Sequence, residues 1–166
     1  MVKTRKALFN ALTALLGRRT FAKISVFDIC AEALVSRTAF YAHFKDKYEL
    51  LELWLNVTRE HVAKEMADLS VTEIGIRACA LFRERFNIIE RLLKDADREQ
   101  MNIMLRFVAS SCGLLGGQAV VSNFLAGGIF YVVYTQTLEN RNASDEEIIL
   151  AVSNVYRLTR AIADMS

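Results

Sequence analysis

Proline is absent from all 166 residues, and the chain holds just three cysteines and two histidines. Without proline no φ is locked and no backbone donor is missing, so helices can run without interruption. Cys30, Cys79 and Cys112 are odd in number and lack CxxC or Cys/His spacing, which argues against a disulfide framework and a structural zinc site. Isolated cysteines in apolar helices are usually inert packing; a redox-sensing thiol at Cys79 or Cys112 is the rival use. Neither His43 nor His61 has a nucleophile or carboxylate pair at catalytic spacing, so no enzymatic activity, metal or cofactor is expected. His61 and Glu65 stand i, i+4 and would supply half a metal site, but a contact along one helix surface explains them better. The opening MVKTRK is basic and leads into an amphipathic pattern, not a continuous apolar run. No secretory signal is read from it, and a reducing cytoplasm is the expected setting.

Charge is missing from one long stretch. Between Phe107 and Leu138 no charged residue occurs, which is long enough to cross a bilayer. Five glycines, several Ser, Asn and Gln residues and the lack of a flanking Lys/Arg cluster favour two buried helices joined at Gly116-Gly117. No membrane partner is expected.

Charge is also unevenly placed. Residues 1–47 carry nine Lys/Arg against three acids, whereas the remainder carries twelve against sixteen. A basic head on an acidic body suits an anionic partner for the head alone, although solvated surface charge gives the same count. Apolar positions at Leu8, Leu12, Leu15 and Leu16 predict a first helix over 3–17 that buries one face, stopped by Gly17, with Phe21 and Ile24 folding back. Ser25 with Asp28 reads as a capping box for a second helix. After the break at Leu34-Val35, Ser36 caps a short third helix of about eight residues in which Phe40 and Phe44 point inward. Arg37, Thr38, Tyr41 and Ala42 then fall on its outer side. Asp46 with Glu49 opens a long helix to about Leu69, with a buried stripe that includes Trp54, Leu55, Thr58, His61, Val62 and Met66. Ser70 with Glu73 and Ser144 with Glu147 repeat the start signal. A helix over 97–112 is expected to bury Met101, Met104, Leu105 and Val108.

Two helices with a tight break, the second short and polar outside, describe a helix-turn-helix. Arg37 can donate twice to a guanine edge and Thr38 can meet a base or a thymine methyl. Tyr41, His43 and Lys47 suit phosphates. Taken singly, Tyr41 could be half-buried core and His43 structural. Residues 4–51 resemble the TetR family of bacterial transcriptional regulators, through T-R-K-A-L, F-x-x-I-S-V-x-D-I-C-x-x-A-L-V-S-R-T-A-F-Y-A-H-F and K-D-K-Y-E-L-L. The resemblance implies that Ser25, Arg37, Thr38, Tyr41, His43 and Lys47 approach double-stranded DNA, and Ser36 completes the DNA-binding set. It also implies a helical body that dimerises through its last helices and encloses a ligand pocket. The family's turn reads Ala-Gly-Val, and this chain has Ala33-Leu34-Val35; a left-handed leucine is therefore expected, at a cost on the order of 1 kcal/mol.

The expected fold is all-α: a three-helix head at residues 1–47 and a ligand-binding and dimerisation body at 48–166, about nine helices in all. Trp54, Met66, Cys79, Phe82, Phe86, Met101, Met104, Phe107, Tyr131 and Tyr134 are the candidates for an apolar pocket taking a neutral or lipophilic effector, and a packed core is the plainer explanation. Phe124, Gly127, Gly128, Tyr131, Val152, Val155, Tyr156 and Thr159 are the candidates for a homodimer interface. The expected function is a repressor that binds an inverted-repeat operator as a dimer. Two other readings stay open: a regulator controlled by a protein partner, and an interaction module whose head no longer reads DNA.

Overall fold

The computed structural model describes residues 2–66 and 84–113 as continuous stretches, together with positions 68, 77, 80 and 81 and single positions between 127 and 157. Every regular element among them is helical. Six α-helices can be followed: α1 (Val2–Leu16), α2 (Val26–Ala33), α3 (Arg37–Tyr41), α4 (Lys47–Met66), α5 (Phe86–Leu93) and α6 (Arg98–Gly113). A 3₁₀ turn at Phe21–Lys23 joins α1 to α2. The remaining helices of the expected nine, the start signal at Ser70 and most of the uncharged stretch 107–138 lie outside the described residues. Among those described, no helix is long and apolar enough to cross a membrane.

Helix α1 buries Leu8, Ala11, Leu12, Leu15 and Leu16, the single apolar face that its i, i+4 spacing demands. Its last turn is closed by Gly17, Arg18 and Arg19, whose N–H groups donate to Thr13 and Leu15 carbonyls. Phe21 and Ile24 fold back and are fully buried. The chain then enters α2 through a reciprocal cap: Ser25 Oγ accepts from Asp28 N–H at 3.1 Å, and Asp28 Oδ2 accepts from Ser25 N–H at 2.9 Å. Asp46 starts α4 by accepting from Tyr48 and Glu49 N–H at 2.9 Å each. The Glu49 carboxylate reaches back one residue further than a standard box, to Lys45 N–H. Ser144 and Glu147 also cap reciprocally.

One hydrophobic core runs through the described residues. Leu50, Leu51, Trp54 and Leu55 of α4, with Leu92 and Leu93 of α5 and Ile103 and Met104 of α6, join the buried residues of the head. The core therefore continues across the expected boundary at residue 47, and Trp54 Nε1 donates to Thr13 Oγ1 at 3.1 Å to tie α4 to α1. Beyond Leu55 no described side chain of α4 is fully buried. His61, expected in the buried stripe, is instead 72% exposed and pairs with Glu65 at 3.3 Å along the helix surface, beyond the last fully buried described residue of α4, Leu55.

The buried face of α6 also differs from expectation. Gln100, Ile103 and Met104 point inward, and Leu105 is 40% exposed. Gln100 is fully buried because its Nε2 donates to the Leu92 carbonyl at 2.5 Å, which closes the α5–α6 turn. Gln100 Oε1 has no partner there among the described residues, so the residue is held in the core by its amide donor; such a polar residue is invisible to hydrophobic periodicity, and the apolar letters alone rotated the stripe.

Candidate nucleic-acid interface

Five residues of α3 cannot hold a helix in water unaided. Phe40 and Phe44 supply the anchor: they are 0% and 2% exposed, and burying each is worth roughly 1.5–3 kcal/mol. Their rings lie 5.6 Å apart, with Phe9 of α1 6.4 Å from Phe44. The helix is shorter than the expected eight residues; after Tyr41 the N–H groups of His43 and Phe44 both donate to the Phe40 carbonyl, which tightens the chain into a turn. Ser36 Oγ accepts from Ala39 N–H at 3.1 Å and caps the helix.

This anchoring leaves one side outward. Ser36, Arg37, Thr38, Tyr41 and Ala42 are exposed. The Tyr41 ring stands edge-on to Phe40 at 5.4 Å, and the Arg37 guanidinium lies 6.0 Å from the Tyr41 ring centroid. Arg37 is thus steered by an aromatic face that is itself fixed to the core. His43 is half-buried beside Phe44.

Two residues of the expected set are engaged within the head. Lys47 is half-buried, and its Nζ donates to the carbonyls of Phe21 at 3.1 Å, Ala22 at 3.4 Å and Ile24 at 2.9 Å. Three acceptors match the three donors of an ammonium. The same nitrogen lies 4.6 Å from the Phe21 ring and 5.4 Å from the Tyr48 ring. Burial lowers the Lys47 pKa, and Asp97 partly opposes that shift. Ser25 gives both its N–H and its O–H to Asp28 Oδ2. Those bonds hold the Asp28 carboxyl below its usual range, with Arg19 assisting at 3.1 Å.

Between α2 and α3, Leu34 adopts φ 54°, ψ 42° and is 94% exposed. The left-handed turn expected from the glycine-to-leucine departure is present. Leu34 and Val35 N–H donate to the Ala31 and Cys30 carbonyls, which sets the angle between the two helices. Cys30 is buried, and desolvation raises its thiol pKa, so it is packing and not a reactive thiol.

Residues 8–53 match the family model of the bacterial regulatory proteins of the tetR family. The head resembles that of the TetR family. Among solved structures, a TetR transcriptional regulator from Streptococcus agalactiae 2603V is 21% identical, with 92% of this chain and 93% of that chain covered and a TM-score of 0.69. The dihydroxyacetone kinase operon activator DhaS is 16% identical over 99% and 98%, with a TM-score of 0.59. FadR of Thermus thermophilus, a TetR-family repressor in complex with lauroyl-CoA, is 15% identical over 94% and 93%, with a TM-score of 0.63. At these identities the similarity over the full length is one of fold, and the chain has the fold of TetR-family transcriptional regulators. A search of curated proteins finds no match.

What joins this TetR-like head to the body is not written in local spacing. Tyr48, directly behind Lys47, donates its O–H to Asp97 at the start of α6 in a short hydrogen bond. That bond pushes the Tyr48 pKa up to about 12 and, together with the Gln100 N–H, lowers that of Asp97. Arg91 of α5 donates from Nη1 to the carbonyls of Leu16 at 3.2 Å and Gly17 at 2.5 Å, a cation placed where the α1 dipole favours one. Partners 49 and 75 residues apart leave no trace in local spacing.

Of the expected pocket residues, Trp54 and Met104 are buried in the core, while Phe86, Met101, Phe107 and Tyr134 are half-buried. Tyr131 is 68% exposed. Cys79, Phe82 and the Met66 side chain lie outside the described residues. Of the expected dimer face, Gly127 is exposed and Gly128 half-buried, and a Cβ on Gly127 would meet nothing within 4 Å. Phe124, Val152, Val155, Tyr156 and Thr159 also lie outside the described residues.

Proposed function

We propose that the chain is a homodimeric, sequence-specific DNA-binding regulator that represses transcription from an inverted-repeat operator and is released by a neutral or lipophilic effector. The observation that carries this is α3: two buried phenylalanines fix a five-residue helix whose other side presents Arg37, Thr38 and Tyr41. In this reading Arg37 and Thr38 read base edges in the major groove, while Ser36, Tyr41 and His43 meet the backbone. Lys47 and Ser25 act first by fixing the head, Lys47 through its carbonyl bonds and Ser25 through the α2 cap. A two-fold protein reads a two-fold site, so the operator is an inverted repeat. Exposed Tyr131 and the small Gly127 support a face that meets a second copy. Control by effector rests on the fold alone, since the neighbour from Thermus thermophilus holds lauroyl-CoA.

The test is selection of bound sequences from random duplexes, followed by mobility shift with native protein and Arg37→Ala. An enriched inverted repeat is expected, and Arg37→Ala should lose about 1–3 kcal/mol at one base position and relax preference there. No retained DNA at low salt would overturn the proposal. A reporter driven from the selected site decides the sign: expression that falls with the protein present supports repression, and expression that rises replaces it with activation, the role named for DhaS.

A further inference from the structure

A second concentration of positive charge lies away from α3, in a cleft of about 420 Å³ between the turn that follows α1 and the last turn of α5. Arg18, Arg19, Thr20 and Lys23 form the head's wall, and Arg91 and Lys94 form the body's wall. Glu90 is the one acid among the described residues lining it. Two of these cations are balanced from α2: Arg18 pairs with Glu32 at 2.7 Å and Arg19 with Asp28 at 3.1 Å. Lys23 and Lys94 are exposed and make no ion pair among the described residues. Arg91 uses Nη1 on the end of α1, and its other donors remain for a ligand. Counting the two outer acids, the cleft keeps an excess of two positive charges. Its lining also holds an orphan: Thr20 Oγ1 is buried and has no hydrogen-bond partner, an omission that costs a folded protein stability unless a ligand or water fills it.

We infer that this cleft binds a small phosphate-bearing molecule, a phosphate monoester or diphosphate, bridging the head and the body. The charge excess matches a dianion. Arg91 supplies planar paired donors suited to phosphate oxygens. The lining is polar, which separates its ligand from the apolar effector proposed above, and the inference does not depend on that effector or on the operator. Because one wall belongs to the head and the other to the body, an occupied cleft would favour the head orientation in which both walls close on the anion.

The test uses the full chain without DNA, with inorganic pyrophosphate and ADP as probes, in titration calorimetry and thermal melting at low ionic strength. Saturable binding of one anion per chain with a raised melting temperature is expected. The double variant Lys23→Gln/Lys94→Gln should weaken it by about tenfold or more, the scale of lost charge-assisted contacts, while melting like the native protein when no anion is present. Thr20→Val serves as a second variant, expected to weaken pyrophosphate without loss of fold. Failure of both probes to saturate overturns the inference, as does equal affinity in native and double-variant proteins. If the double variant instead leaves anion binding unchanged and flattens the salt dependence of DNA retention, the cleft belongs to the nucleic-acid backbone and the small-molecule site is refuted.

Discussion

Replacing Leu34 with glycine should make the protein more stable, although it removes a whole isobutyl side chain, because the core does not use that side chain. The leucine sits at φ 54°, ψ 42° with 94% of its surface in water. A left-handed conformation costs a non-glycine residue roughly 1–2 kcal/mol. Burial returns almost none of it, because the side chain is outside. Glycine removes that strain but is freer in the unfolded chain, which costs about 0.5–1 kcal/mol. The net expectation is a gain of about 0.5–1 kcal/mol. For a chain of this size, 1 kcal/mol moves the melting temperature by about 2–4 °C, so Leu34→Gly should raise it by about 1–4 °C. Urea unfolding followed by circular dichroism measures the same quantity independently, with all variants at one protein concentration because a dimer's midpoint depends on it. Leu34→Ala keeps the strain and should match the native protein within about 0.5 kcal/mol, as an exposed substitution. An unchanged or lowered midpoint for Leu34→Gly would refute the strain argument.

Three other perturbations address the head and its attachment. Lys47→Ala leaves three carbonyls without their donor and should cost about 1–2 kcal/mol in urea unfolding; if stability is unaffected while binding to all DNA weakens, the ammonium acts on phosphate and not on the turn. Asp28 has a lowered pKa in the folded state, so its stabilisation is present above its ordinary value near 3.8 and disappears as pH falls through the lower folded value. Asp28→Asn should therefore cost about 0.5–1 kcal/mol at neutral pH through the weakened cap and flatten the acid side of a melting-temperature curve, and a parallel curve would contradict this. Tyr48 has a raised pKa, about 12 against 10, so its contribution is complete below pH 10 and is lost as pH rises toward 12. Tyr48→Phe should lower stability at neutral pH and remove that alkaline loss, with Asp97→Asn non-additive in a double-mutant cycle; additivity would show that the head–body hydrogen bond carries no energy.

Much of the head was legible because its determinants are local. Ser25 with Asp28, Ser36 with Ala39 and Asp46 with Glu49 act within three residues, and Phe40 with Phe44 within four. The left-handed turn could be anticipated as well, because Leu34 stands where the TetR pattern has glycine. Other features were misread for identifiable reasons. His61 fits the periodic stripe of α4, but among the described residues of that helix full burial ends at Leu55, and periodicity carries no information about where a core stops. Gln100 sits in the core because a carbonyl of the preceding helix accepts its amide proton. Lys47, expected at a phosphate, also donates to three carbonyls around the 3₁₀ turn, partners that lie 23 to 26 residues away and outside any local spacing.

The sequence by itself determined the helices of the head, their caps, the turn between α2 and α3 and the outward side of α3. Those depend on backbone propensities and on spacings of three or four residues, which the letters state directly. Tertiary structure alone decided how the head is held: Lys47 reaching back 26 residues to Phe21, Tyr48 bonding Asp97, and Arg91 capping α1 from 75 residues away. It also gathered the head's arginines and the α5 cations into one cleft. Contacts between distant residues depend on where packed helices bring their ends together, and no local pattern records that.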